Sequence, residues 1–138
     1  MFNVYVLECV NGFFYVGKTH RPVSERMAEH QAQKGCEWTR LHPPLRVTRV
    51  VIGAQPLDED RVTKEMMHLH GVNRVRGGSY SAVELPTYQA MALRDEMCTA
   101  EDRCLRCQRR GHFARACWAR TREDGTLIYH RIKRLAKV

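Results

Sequence analysis

Between positions 104 and 117 the chain reads Cys104-Leu-Arg-Cys107-Gln-Arg-Arg-Gly-His112-Phe-Ala-Arg-Ala-Cys117, a C-x2-C-x4-H-x4-C spacing. No other feature constrains its surroundings so tightly. Three thiolates and one imidazole complete the tetrahedral shell of a structural Zn2+ ion. The two-residue gap lets one tight turn offer both sulfurs to the metal, and Gly111 frees the backbone to swing His112 inward. So few apolar residues lie between the ligands that the segment needs the ion to fold. Zn2+ is therefore expected on Cys104, Cys107, His112 and Cys117. Disulfide pairing is the weaker reading, because the remaining cysteines, at 9, 36 and 98, are irregularly spaced and a reducing compartment is expected.

With 138 residues, the chain has room for one domain of roughly 100 residues and an appendage, which excludes a large multidomain enzyme. Its net charge of +8 is unevenly placed. Residues 1–100 carry 12 basic and 11 acidic side chains, whereas residues 101–138 carry 11 and 4. So concentrated a basic segment points to a polyanion partner, nucleic acid first and an acidic membrane surface second. No apolar run reaches the ~18 residues of a membrane span, and Met1-Phe2-Asn3-Val4-Tyr5 lacks the start of a secretory signal. The expected location is intracellular, in nucleus or cytoplasm.

The first hundred residues supply the main fold. Residues 3–9 and 13–18 are rich in Val, Phe and Tyr and flank Asn11-Gly12, a hairpin signal. A two-residue loop would pair Cys9 with Phe14 and put Tyr5 and Tyr15 on opposite faces. A three-residue loop with Gly12 left-handed pairs Cys9 with Phe13 and gathers Tyr5, Leu7, Tyr15 and Gly17 on one face; this is the arrangement expected if the tyrosines act together. Pro22 suits a first helical turn, and the spacing of Val23, Met27 and His30 predicts a helix over 22–33, with Arg26 and His30 on one face. His42-Pro43-Pro44 breaks the chain, and residues 45–52 read as a third strand with one wet face. Residues 58–70 read as a second helix with Val62, Met66 and Leu69 as its stripe, closed by Gly71. Gly77-Gly78 mark a loop, residues 86–102 a third helix leading into the cysteine cluster, and residues 126–132 a weak strand.

The cysteine cluster and Gly111-His112-Phe113-Ala114-Arg115 resemble the retroviral nucleocapsid type of zinc knuckle over 14 residues. That resemblance implies binding of single-stranded RNA or DNA. Leu105, Phe113 and Trp118 would meet bases, while Arg106, Arg109, Arg110 and Arg115 would meet the phosphates. The other reading of Leu105 and Phe113 is as cover for the metal.

Val4-Tyr5-Val6, then Tyr15-Val16-Gly17-Lys18-Thr19, then Arg26 with His30, resemble the GIY-YIG nuclease family. Cys36-Glu37-Trp38-Thr39-Arg40, the acidic helix from Asp58, and residues 71–80 are similar to a small-nuclease branch associated with large DNA viruses and some microbial eukaryotes. The likeness covers about residues 2–85. It implies an α/β (α+β) fold in which a small antiparallel three-stranded sheet is flanked by helices, followed here by a connecting helix (86–102), the knuckle (103–118) and a basic tail (119–138).

It also implies a DNA endonuclease using one Mg2+ or Mn2+. Glu59 would ligate that metal, Tyr5 would act as base or water-positioning group, Arg26 would grip the phosphate, and Tyr15 and His30 would orient or shuttle a proton. Lys18 and Arg40, in the matching segments, would join the nucleic-acid contacts. The helical wheel does not choose between Glu59 and Glu65; Glu59-x-x-Val62-Thr63-Lys64 is the run similar to the family's. The competing expectation is a non-catalytic nucleic-acid-binding protein, in which Tyr5 and Tyr15 are ordinary strand aromatics and Arg26 pairs with Glu25 or Glu29.

Overall fold

The structure, a computed structural model, describes residues 1–128. The chain divides into two compact units, Met1–Ala90 and a second from Met91 onward. Strands β1 (Phe2–Cys9) and β2 (Phe14–Thr19) form the hairpin. Their register pairs Tyr5 with Gly17 and Leu7 with Tyr15, and the Cys9 amide donates to the Phe13 carbonyl at 2.7 Å. This is the three-residue connection. Gly12 is left-handed at φ +79, and Asn11, at φ 60, shares that region, which asparagine tolerates better than most residues. Side-chain alternation then places Tyr5, Leu7, Tyr15 and Gly17 on one face.

The sheet has four strands in the order β3-β1-β2-β4, with β3 spanning Pro44–Ala54 and β4 Val75–Gly77. Strand β3 runs antiparallel to β1, as expected, whereas β4 pairs parallel to β2 and corrects the expected three-stranded sheet. At three residues, with Arg76 at its centre, β4 is too short to show alternation. Its pairing depends on where the chain returns after the second long helix.

Tyr5, Leu7 and Cys9 are buried together, with Phe13, Tyr15, Val23, Met27 and Val47 packed against them. Helix α1 (Val23–Gln31) supplies Val23 and Met27 and packs on β1 and β3. Pro22 stands just outside α1, and the helix ends two residues short of the expected 33, where Gln33 is left-handed at φ 61. A five-residue helix, α2 (Glu37–Leu41), follows with Trp38 and Thr39 buried. One and a half turns give no readable period, so nothing in the sequence marks it.

Helix α3 (Asp58–His70) has the expected bounds and packs on β2 and β4. Its buried residues are Val62, Thr63, Met66 and Met67. The expected stripe is corrected at Leu69, which is 70% exposed. A stripe of adjacent pairs at i, i+1, i+4 and i+5 lies one residue round the wheel from the one expected, because strand placement sets the buried face. Gly71 ends the helix at φ 101. Helix α4 (Thr87–Ala100) falls within the expected 86–102.

In the second unit, Thr121 and Leu127 form an isolated antiparallel bridge. Ile128 is buried against Cys104 and Cys107, so residues up to 128 belong to the packed knuckle instead of starting a basic tail at 119. Positions 129–132 of the expected strand, and the tail to 138, lie outside the described residues. Among the described residues no helix is long and apolar enough to cross a membrane.

Candidate active site and metal centre

The hairpin register carries Tyr5 and Tyr15 to the sheet face that α1 covers. There the Tyr5 hydroxyl lies 2.9 Å from Nε2 of His30, and the ring centroids of Tyr15 and His30 are 5.1 Å apart. Tyr5 is 1% exposed and His30 fully buried, while Tyr15 is half-buried. Gly17, opposite Tyr5, makes the packing possible: a Cβ there would stand 2.5 Å from the Tyr5 hydroxyl and 2.9 Å from the Tyr15 ring.

His30 has a second partner. Its Nδ1 lies 2.9 Å from Oγ1 of Thr39, whose hydroxyl donates to the Cys36 carbonyl at 3.1 Å. Gly35 leaves room for this contact, since a Cβ there would fall 2.1 Å from Nδ1. Thr39 carries no signal in the sequence beyond its place in a resembling segment; only the turn from α1 into α2 shows that it reaches His30.

Burial raises the Tyr5 phenol above its ordinary 10.0, and the Arg26 guanidinium beside it pulls the other way. Burial raises Tyr15 too, helped by Cys36 and Tyr5. Burial and then the charge of Arg26 push His30 down to about 4, so its imidazole is neutral at pH 7. Arg26 Nη1 donates to Glu29 Oε1 at 2.6 Å, and Arg21 Nη2 donates to the same oxygen at 2.7 Å. These two guanidiniums hold Glu29 down to about 2. Arg26 thus faces Tyr5 on one side and Glu29 on the other.

The two candidate carboxylates have different surroundings. Glu65 accepts from Arg49 Nη1 at 2.8 Å and also from Arg61, which lower it below the carboxylate range. Glu59 is half-buried; burial raises it and Lys18 opposes that shift. Its charge reaches both Tyr5 and Tyr15. Among the described residues no hydrogen bond or ion pair engages the Glu59 side chain, whereas the neighbouring Asp60 accepts from the Ser79 amide at 2.8 Å and from its hydroxyl at 2.7 Å. A partly desolvated, uncommitted carboxylate fits a divalent cation better than one held by two arginines. Lys18 is exposed, with its ammonium 5.3 Å from the Phe2 ring. Arg40 is exposed on α2. The structure gathers Tyr5, Tyr15, His30 and Arg26, places the Glu59 charge within reach of the two tyrosines, and leaves Lys18 and Arg40 on the surface.

In the second unit the ligand atoms of Cys104, Cys107, His112 and Cys117 all lie within 4.8 Å of one another, close enough for one tetrahedral zinc ion to draw in all four. The amides of Arg106 and Cys107 donate to Cys104 Sγ at 3.3 and 3.4 Å, as suits a thiolate. Gly111, at φ 98, makes the turn before His112.

The arginines divide into two groups. Arg106 is 7% exposed, and its Nη1 donates to the Ala119 carbonyl at 2.7 Å and to the Cys117 carbonyl and Sγ at 3.2 Å each. The guanidinium of Arg109 donates to the carbonyls of Thr121 (2.8 Å) and Arg122 (3.1 Å). Both therefore tie the following segment onto the knuckle, instead of projecting toward a phosphate. Arg110 is exposed and pairs with Glu101 at 2.7 Å, and Arg115 is exposed. Trp118 is 94% exposed, and Phe113 and Leu105 are exposed as well, so none of the three is buried as cover for the metal.

A UPF0213 protein of Cupriavidus pinatubonensis is 41% identical over 66 residues, covering 46% of this chain and 72% of that protein. The chain belongs to the UPF0213 family. A UPF0213 protein of Halobacterium salinarum is 44% identical over 45 residues, 33% of this chain and 57% of the relative. Neither name states an activity. Residues 100–127 match the family model described as a GAG-polyprotein viral zinc-finger, a match that supports nucleic-acid binding by the second unit. Its span agrees with the packing of residues beyond Cys117 onto the knuckle. No solved structure matches the chain.

Proposed function

We propose that this UPF0213 protein is a divalent-metal-dependent endonuclease of GIY-YIG type that hydrolyses phosphodiester bonds in DNA, and that its zinc knuckle adds affinity for single-stranded or branched nucleic acid. The observation that carries the reading is the 2.9 Å contact between the Tyr5 hydroxyl and His30 Nε2, with Arg26 and Tyr15 beside it. Tyr5, hydrogen-bonded to His30 Nε2, positions the attacking water, whose oxygen forms the new bond to phosphorus as its proton passes to solvent, while the bond to the leaving oxygen breaks and that oxygen is protonated from solvent. Arg26 balances charge on the phosphate, and Tyr15 shields the site from bulk water. A Mg2+ or Mn2+ ion held by Glu59 would supply charge neutralisation at the leaving group. Exposed Trp118 and Phe113 stack on bases and Leu105 packs against them, with Arg115 and Arg110 near the backbone.

One observation favours a second reading, a nucleic-acid-binding protein without catalysis: Tyr5 is 1% exposed and therefore covered from water. Incubation with plasmid, flap and single-stranded substrates in Mg2+, Mn2+ or EDTA separates the two. The nuclease predicts metal-dependent cleavage that drops by about 100-fold or more in Arg26→Ala and Glu59→Ala. Binding without cleavage under every metal establishes the second reading.

A further inference from the structure

Two contacts reach His30 from opposite ends. At one end, Thr39 has a single hydroxyl hydrogen, which it donates to the Cys36 carbonyl at 3.1 Å; its oxygen is left as an acceptor 2.9 Å from His30 Nδ1. Nδ1 must then carry hydrogen. A neutral imidazole carries one hydrogen, so Nε2 is then the bare nitrogen, 2.9 Å from the Tyr5 hydroxyl and able to accept its hydrogen. Tyr5, His30 and Thr39 are all buried.

We infer that Thr39, anchored on the Cys36 carbonyl and admitted by Gly35, is a positioning residue that fixes His30 as the Nδ1–H tautomer and so keeps Nε2 as the acceptor of the Tyr5 hydroxyl. This rests on the nuclease reading for its purpose but not for its geometry. Tyr5 then keeps its hydrogen directed at Nε2 and its oxygen lone pairs available to the water it positions. Had the hydroxyl of Thr39 donated to Nδ1, Nε2 would already bear hydrogen and could accept nothing from Tyr5. A valine in place of Thr39 matches its shape but removes the acceptor.

The test reads the tautomer directly, by nitrogen chemical shifts and long-range proton–nitrogen correlations of His30 in the 15N-labelled, zinc-loaded full chain at neutral pH. The wild type is expected to show protonated Nδ1 and bare Nε2. Thr39→Val is expected to shift the population toward Nε2–H and to lower kcat about ten- to a hundredfold, the scale for groups that orient a histidine, with KM little changed. Thr39→Ser should restore both the tautomer and kcat, a rescue that a packing role for the methyl group would not produce. A wild-type ring found as Nε2–H overturns the inference, as does a folded Thr39→Val that keeps Nδ1–H. If Thr39→Val does not fold, the wild-type tautomer and the serine variant decide alone. Absence of cleavage by the wild type overturns the nuclease reading, whereas the tautomer of His30 is still decided by the nitrogen shifts.

Discussion

The two units of this chain solve the problem of ordering polar groups by different physics. Around Tyr5 and His30, a sheet and helix bury the polar groups and satisfy them with one another, so the site is a by-product of a hydrophobic core. Around Cys104 to Cys117, the buried apolar cover is Ile128 with neighbours such as Ala119, and the ligands themselves form the centre. The first arrangement resists the loss of a metal and is sensitive to any added atom. The second is sensitive to metal loss and tolerates change on its exposed face.

Zinc removal should separate the two units most widely. A structural zinc ion contributes on the order of 10 kcal/mol or more to a small site, so a strong chelator, or Cys107→Ser, should unfold the second unit. Amide exchange is expected to lose protection at residues 98–128 while Met1–Ala90 keeps its own. Equal loss in both units would show that the core around Tyr5 depends on the metal.

The reverse probe is Gly17→Ala. Its Cβ would lie 2.5 Å from the Tyr5 hydroxyl, and such overpacking costs up to about 3 kcal/mol. Urea denaturation followed by first-unit amides should show that loss, with zinc affinity unchanged.

Acid should act next most strongly. His30 is held down to about 4 from 6.5, chiefly by burial, so the unfolded chain binds the extra proton first. This contribution to stability is fully present above pH 6.5 and is lost as pH falls toward 4. Between pH 7 and pH 5 the first unit should lose about 2 kcal/mol, and His30→Gln should flatten that slope. Exchange in first-unit amides separates this effect from acid release of zinc.

Trp118→Ala should move stability least, by less than about 0.5 kcal/mol, because the side chain is 94% exposed. Fluorescence anisotropy with a single-stranded oligonucleotide is expected to show binding weakened by about 1 kcal/mol or more, the scale of one stacked base. Arg106→Met should do the opposite, lowering zinc affinity through its lost contacts to Cys117 and Ala119, with less direct effect on binding.

Much of this site was legible in the chain because its signals are local. Asn11-Gly12 marked the hairpin but left two registers open, and the one found is the one that puts both tyrosines on one face, pairing Tyr5 with Gly17 and Leu7 with Tyr15. The cysteine and histidine spacing set the metal ligands, and the acidic start with Gly71 set both ends of α3. Where periodicity was short or absent, the pattern misled or said nothing. Leu69 ranks as core by hydropathy, yet Met67 took the buried place; β4 and α2 were too brief to register; Arg106 looked like a phosphate ligand from charge alone, though its donors are used inward.

The sequence by itself determined the turns, the ligand set and the order of elements, because each depends on residues a few positions apart whose backbone preferences and chemistry act locally. Only the tertiary structure decided that β4 returns parallel to β2, that among the described residues arginines hold Glu65 and not Glu59, and that Thr39 meets His30. Those outcomes depend on which faces pack together, and packing is a property of the whole sheet and its helices, not of any one segment.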